Sequence, residues 1–301
     1  MINELVSLFR RNFPFVVREE ATVRDILKNK ECYSIEKHDE RNHLIGAAVV
    51  HDNTLLMLCV DKEYRNRGIG SDLLTEAERR IKESGYTEIT VGAGYDYLMP
   101  GVPTSKRYTD AVNERLYEGI DASASDFFEK RGYTHSWECN CFDMRFPLEE
   151  FAKEEYSVGD TVDGIGYRFA TEADAEKVYA CTDAAYEEFT QYYKNEELYR
   201  GDGKQNPKVL IATDGEEVVG TLIVSLETEG AGLGSVGCTT VKTSHQGRHI
   251  GVNMVTVGTK YLKDAGMQEA YLGYTYTGLD HMYGYSGYKV CIYYMMAKKT
   301  L

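Results

Sequence analysis

The sequence predicts an α/β protein made from two copies of one domain, and three observations carry that expectation. The chain has 301 residues, about twice what a single hydrophobic core usually organises. A strand, a glycine-bearing loop and a helix occur twice at a constant offset of 181 residues, Arg65 falling on Gln246 and Gly70 on Gly251. Each copy is followed by the same succession of strand, short helix and strand, which marks an internal duplication rather than a chance match.

The elements follow in order. Met1 to Phe15 has apolar residues at helical spacing, interrupted by Glu4, Arg10 and Arg11, which is not the order of a signal peptide. Thr54 to Val60 and Ser235 to Val241 read as strands. Leu73, Leu74, Ala77 and Ile81 before Gly85, and Val252, Val255, Val257 and Leu262 before Gly266, read as helices stopped by glycine. Glu88 to Ala93 and Glu269 to Gly273 give the next strands. Asp126–Tyr133 and His281–Tyr288 each end in Gly-aromatic, and Ser136 to Phe146 and Lys289 to Lys298 close the halves as strands. The second half opens with a strand at Tyr167–Ala170 and a helix capped by Thr171 that runs to Ala185, whereas the first opens with a helix. An insertion from Gly94 to Asp121 is peculiar to the first half, and reads equally as a substrate-facing segment or a packing flap. The expected domains are 1–150 and 164–301, joined by an acidic, turn-rich linker at 151–163.

Composition narrows the function. With 34 basic and 48 acidic residues the net charge is −14, which disfavours nucleic acid and is compatible with a cationic substrate, though solubility explains it equally well. No run approaches the roughly 20 apolar residues of a membrane helix, so a cytoplasmic protein without membrane contact is expected. The seven cysteines are scattered and odd in number, and Cys139-x-Cys141 is not a metal-knuckle spacing; reduced, mostly buried thiols and no metal are expected.

In Arg65-x-x-Gly68-x-Gly70 the chain turns from strand to helix, where glycines admit a ligand to backbone N–H groups at the positive end of the helix dipole. That is a diphosphate site. Neither the dinucleotide fingerprint nor the GK[ST] loop fits the spacing. The motif, the opening Tyr167–Asp174 and the endings Phe127–Tyr133 and Tyr283–Tyr288 resemble the GNAT acyltransferases over nearly the whole chain, twice.

The resemblance implies two GNAT-like domains, each a twisted mixed, largely antiparallel sheet flanked by helices, with acetyl-CoA in the cleft after the central strand. Its coenzyme residues would be Leu58, Cys59, Val60, Arg65, Asn66, Arg67, Gly68, Ile69, Gly70 and Ser71, with Thr239, Val241, Gln246, Gly247, Arg248, Ile250 and Gly251 in the second half. It implies N-acetyl transfer to a primary amine of a small molecule by direct attack, as a monomer or homodimer; a coenzyme-binding regulator and a peptide acetyltransferase are the rivals. Many members protonate the leaving thiolate with a tyrosine, which corresponds to Tyr283 here, while the first half has Phe128. Asp96 and Asp280 are the candidate bases, with His245 and His281 near the same landmarks. His249 replaces the first glycine in the second loop, tolerable if its backbone stays helical. Tyr186, Glu187, Glu188, Tyr192, Tyr193 and Tyr199 lie where acceptor-contacting helices belong, and equally fit an amphipathic helix with buried tyrosines.

Overall fold

Apolar residues three and four apart fold the N-terminus into α1 (Ile2–Asn12), which buries Leu5, Val6, Leu8 and Phe9, and α2 (Glu20–Lys28), which buries Val23 and Leu27. The computed structural model describes residues 2–93, 97–110, 113–153, 155–200 and 205–301. The chain divides into two compact units. Met1–Asp110, Leu116–Phe142 and Ile292–Leu301 form the first, and Ala111–Arg115 with Asp143–Cys291 form the second. These units depart from the sequence bounds 1–150 and 164–301 chiefly in the last ten residues, which group with the first unit.

In the first unit β1 (Cys32–His38), β2 (Leu44–His51) and β3 (Thr54–Val60) form an antiparallel meander. Helix α3 (Ile69–Glu83) then returns the chain to β4 (Glu88–Val91), parallel to β3. These two strands pair only at Thr54↔Thr90 and Leu55↔Val91, so the C-terminal half of β3 keeps an open edge. Strand β5 (Val102–Thr104), helix α4 (Ser123–Glu129) and β6 (Thr134–His135) follow. The chain's last strand, Ala297–Thr300, runs antiparallel to both β4 and β6 and joins them in one sheet. Leu73, Leu74, Ala77 and Ile81 of α3 pack on Ala48, Val50, Leu55, Ile89 and Phe128. Full burial of such side chains contributes about 1.5–3 kcal/mol each. The insertion packs as well as faces outward: Leu98, Met99 and Val102 are buried, and β5 pairs with Tyr293–Met295.

The second unit takes Asp143–Pro147 from β7 (Cys141–Pro147) and continues through β8 (Thr161–Val162) and β9 (Ile165–Phe169). Next come α5 (Ala175–Tyr186), α6 (Thr190–Tyr193), β10 (Lys208–Asp214), β11 (Glu217–Ser225) and β12 (Leu233–Val241). Then α7 (Ile250–Asp264), β13 (Glu269–Tyr276), α8 (Asp280–Gly284) and β14 (Lys289–Met295) complete the order. Strands β8 to β12 are antiparallel neighbours, and β13 lies parallel to β12. That parallel pairing covers only Leu233↔Glu269 and Gly234↔Ala270, so β12 also ends with an open edge. Before α5, Thr171 and Asp174 form the expected capping arrangement, the Thr171 N–H and hydroxyl each donating to Asp174 at 2.9 Å. The Arg168 guanidinium, 2.7 and 2.8 Å from the same carboxyl, holds Asp174 far below the usual carboxylate range.

Candidate active site

Each unit turns from its central strand into its helix through the same backbone. In the first unit a short 3-10 turn at Lys62–Tyr64 leads to Arg65, whose Nε donates to the Val60 carbonyl at 2.9 Å. Asn66 and Gly68 then take left-handed φ values of 61° and 85°. The Asp72 N–H donates to the Gly68 carbonyl at 3.0 Å and starts the α3 ladder. The N–H groups of Ile69, Gly70 and Ser71 therefore stand ahead of that ladder at the positive end of the helix dipole.

The second unit repeats this at Thr243–His245, with Gln246 Nε2 donating to the Val241 carbonyl at 3.2 Å. Gly247 and His249 take φ values of 77° and 58°, and the Asn253 N–H donates to the His249 carbonyl at 2.9 Å. The tolerance of His249 thus does not come from a helical backbone, as expected on sequence. The residue occupies the left-handed region itself, at a strain of about 1 kcal/mol. Arg248 leaves the loop to pair with Asp214 at 3.2 Å, and Ile250 is buried in the core.

A cavity of about 740 Å³ opens over the first loop. Leu58, Cys59, Val60, Arg65, Asn66, Gly68, Gly70 and Ser71, all among the residues singled out by the motif, line it. Arg67 and Ile69 do not: Arg67 donates to the Glu63 carbonyl at 2.9 Å and lies over the Tyr64 ring, and Ile69 packs on the core. The Asp61 N–H donates to the Ile45 carbonyl at 2.8 Å, so alternation along β3 turns the polar groups of Leu58 and Val60 to the open edge. Burial pushes the Cys59 thiol up to about 12, so it stays protonated.

Sequence reasoning missed part of this wall. Arg131 donates to the Ser71 hydroxyl at 2.6 Å, and its guanidinium lies 3.7 Å from the Phe127 ring centre. It brings a cation to the start of α3, with Lys130 also on the cavity wall. The four-residue spacing of Phe127 and Arg131 on one helical face was the available signal. Asn12 accepts from Arg65 Nη2 at 2.9 Å, and Phe13 and Phe15 line the same space. Pro103 from the middle of the insertion and Gly119, Ile120 and Asp121 from its C-terminal end also line it.

The expected catalytic residues are distributed unevenly. Tyr283 is buried in the second unit with its hydroxyl 3.2 Å from Thr239 Oγ1 on β12, and burial pushes its phenol up to about 12. Next to Thr239, Cys238 has a φ of 52°, where two residues of β12 oppose one of β11, and its carbonyl accepts from the Tyr193 hydroxyl at 2.6 Å. Burial raises the Cys238 thiol to about 11. Asp280 is fully buried, and one carboxylate oxygen accepts the Gly278 N–H at 2.8 Å, a turn-closing bond. Asp96 lies outside the described residues. His245 meets Ser244 Oγ at 2.8 Å, and His281 is exposed. Phe128 lines the first cavity and packs edge-on against Tyr133. The acceptor-side tyrosines divide: Tyr193 and Tyr199 are core residues, while Tyr186 and Tyr192 are exposed. Among the described residues no group of three or more His, Cys, Asp or Glu is placed to hold a metal ion. No described helix is long and apolar enough to cross a membrane.

Two family models match the sequence, an acetyltransferase (GNAT) domain over residues 28–135 and the acetyltransferase (GNAT) family over residues 169–285. No curated protein sequence matches it. Among solved structures, the chain is similar to the GCN5-related glucosamine N-acetyltransferase region of a fungal multi-domain GH3 β-N-acetylglucosaminidase, with a TM-score of 0.70 at 18% identity. That match covers 99% of this chain and 37% of the other, so the chain spans little more than a third of that protein. A GCN5-related N-acetyltransferase from Sphaerobacter thermophilus matches with a TM-score of 0.65 at 19% identity, covering 99% and 91% of the two chains. A tandem GNAT protein from the clavulanic acid biosynthesis pathway matches with 0.65 at 15% identity, covering 99% and 94%. At these identities the likeness is one of fold.

Proposed function

The chain belongs to the GNAT acyltransferase family, with two of its domains in tandem, and from that premise we propose that it transfers the acetyl group of acetyl-CoA to a primary amine of a small molecule. The observation that carries this reading is the cavity of about 740 Å³ over the Arg65–Ser71 loop. Its residues fit the coenzyme. Three N–H groups at the α3 start, Arg131 and Lys130 suit a diphosphate, and the open edge of β3 at Leu58 and Val60 suits an extended amide chain. The coenzyme supplies the thioester that the amine attacks.

Direct attack is supported by the thiols. Cys59 and Cys238, on the two central strands, are held protonated by burial and are poor acyl carriers. The amine must lose a proton, since an ammonium with a pKa of about 10 cannot attack. Tyr283 belongs to the second unit and keeps its proton across the physiological range beside Thr239, which suits a general acid for transfer on that unit's own loop, not in the first unit's cavity. We assign Asp280 no base role, because its carboxylate is buried and closes a turn.

A second reading, a coenzyme-binding protein without transfer in its first unit, is favoured by Phe128, which places a ring without a hydroxyl on the cavity wall. Calorimetric titration of acetyl-CoA into the intact protein and a Gly68→Glu variant tests the proposal. Bulk and negative charge at a left-handed residue of the loop should weaken binding by about a hundredfold or more. Binding that persists in the variant would belong to the second unit's loop, the one beside Tyr283, and no binding by the intact protein would overturn the acetyl-CoA reading. Tight binding without thiol release on a broad amine panel would favour the second reading.

A further inference from the structure

Four polar side chains, all in the first unit, tie the end of the N-terminal helix to the first loop. Arg11, next to last in α1, grips Asp61 through Nε and Nη2, both at 2.7 Å, and Nη2 also donates to the Leu44 carbonyl at 2.8 Å. Asn12, the last residue of α1, donates its amide nitrogen to the same carboxylate at 2.8 Å and to the Leu8 carbonyl at 2.9 Å. Its amide oxygen accepts from Arg65 Nη2 at 2.9 Å, and Arg65 Nε bonds back to the Val60 carbonyl at 2.9 Å.

The order of charges along these side chains decides what each can do. Both partners of the Asn12 nitrogen are acceptors, so turning the amide over would set its oxygen against a carboxylate and a carbonyl. The oxygen therefore faces Arg65. Asp61 is already matched by the Arg11 fork. Arg65 is held by two neutral oxygens, and among the described residues no carboxylate pairs with it. Asp121, which also lines the cavity, accepts the Ser123 N–H at 2.8 Å. A long, rotamer-rich cation on the cavity wall is thus fixed in direction without being neutralised. In the second unit Lys242 and Gln246 stand where Asp61 and Arg65 do, and Lys242 pairs with Glu217 at 2.7 Å instead.

We propose that Asn12 is a positioning residue of the first unit's coenzyme site. It aims the charged Arg65 guanidinium at the diphosphate, while Arg11 and Asp61 set the direction of its amide. The inference rests on the coenzyme reading of that cavity. It makes the N-terminal helix part of the binding machinery, although Asn12 and Arg65 lie 53 residues apart in the chain.

Calorimetry on the full chain tests it, the acetyl-CoA isotherm of the first unit being the one lost in Gly68→Glu. Asn12→Ala should weaken that isotherm about tenfold, and Arg65→Ala by at least as much. In the Arg65→Ala background Asn12→Ala should cost less than about twofold more, because its effect runs through the guanidinium. S-acetylpantetheine, which lacks the diphosphate, should bind Asn12→Ala and the parent protein alike. Where Asn12→Ala lowers the thermal midpoint, Arg11→Gln carries the test at a side chain 44% exposed. It leaves the Asp61 charge unmatched near Arg65, and should weaken acetyl-CoA about threefold with S-acetylpantetheine unaffected. Full additivity with Arg65→Ala, an equal loss of S-acetylpantetheine in a folded variant, or unchanged acetyl-CoA affinity would overturn the proposal. If Gly68→Glu leaves acetyl-CoA binding intact, the coenzyme reading of the first unit falls and this inference with it. If Gly68→Glu abolishes binding while Asn12→Ala leaves it unchanged, the reading stands and the inference alone falls.

Discussion

The loop after β3 and the loop after β12 share a backbone and differ in what surrounds it. Both begin with a side chain bonded back to the last strand residue, Arg65 on Val60 and Gln246 on Val241, and both set two left-handed residues before the helix. Only the first has glycine at the second of those positions and a cation held at the helix start by Ser71. Only the second has a buried phenol, 3.2 Å from a threonine on the central strand, and a left-handed cysteine beside it. Duplication preserved the turn because its hydrogen bonds are local. The cation beside the first helix start and the phenol beside the second central strand were then free to diverge.

The largest expected effect tests the phenol. Tyr283→Phe should lower turnover on the order of a hundredfold with coenzyme affinity unchanged, measured by thiol release and calorimetry. If the first unit alone were active, the variant would keep its rate. The pH profile sharpens the same contrast. A phenol raised to about 12 loses its proton only as pH rises through that value. The rate should therefore climb as the amine deprotonates toward pH about 10 and show no decline between about pH 8 and 11. A decline centred near pH 9 would break the assignment.

Next in size is a packing difference between the helices. Gly258 of α7 corresponds to Ala77 of α3 at the same offset of 181. A Cβ on Gly258 would come 2.9 Å from Val236 Cγ1 and 3.3 Å from Leu222 Cδ2, so α7 lies too close to its sheet for a methyl group. Gly258→Ala should destabilise by about 1–3 kcal/mol in urea unfolding, despite its better helix propensity. A stabilised variant would show that α7 can shift outward. The smallest effects lie in the loops. Gly68→Ala meets no atom within 4 Å, so its loss of about 1 kcal/mol is purely conformational. His249→Gly should gain about 0.5 kcal/mol or less, the relieved strain being offset by a more flexible unfolded chain.

The duplication, the strands around each loop and the glycine stops at Gly85 and Gly266 were legible because each rests on residues close in sequence. Half of the cavity was not. Arg131 meets Ser71 across 60 residues and Asn12 meets Arg65 across 53, and no local pattern announces such pairs. The left-handed His249 was hidden for the opposite reason, since the surrounding turn imposes a conformation that its residue type does not advertise. Asp280 looked like an available carboxylate from its position alone, and only the fold shows it buried against the Gly278 N–H. The closing strand read from order, Lys289–Lys298, is two strands in the structure, Lys289–Met295 and Ala297–Thr300. Hydrogen bonding assigns the second of them to β4, through Lys298↔Thr90, Lys299↔Ile89 and Thr300↔Glu88.

That assignment makes the first unit discontinuous in the gene. Its sheet lacks the strand between β4 and β6 until Ala297–Thr300 has left the ribosome, after all of Asp143–Cys291 has been made. Nascent domains usually mature from the N-terminus onward. Here the earlier-made unit is the later one to be completed, its edge at β4 unpaired until the chain's last strand is available, and a chain ending at Cys291 would hold every residue of the second unit but not of the first.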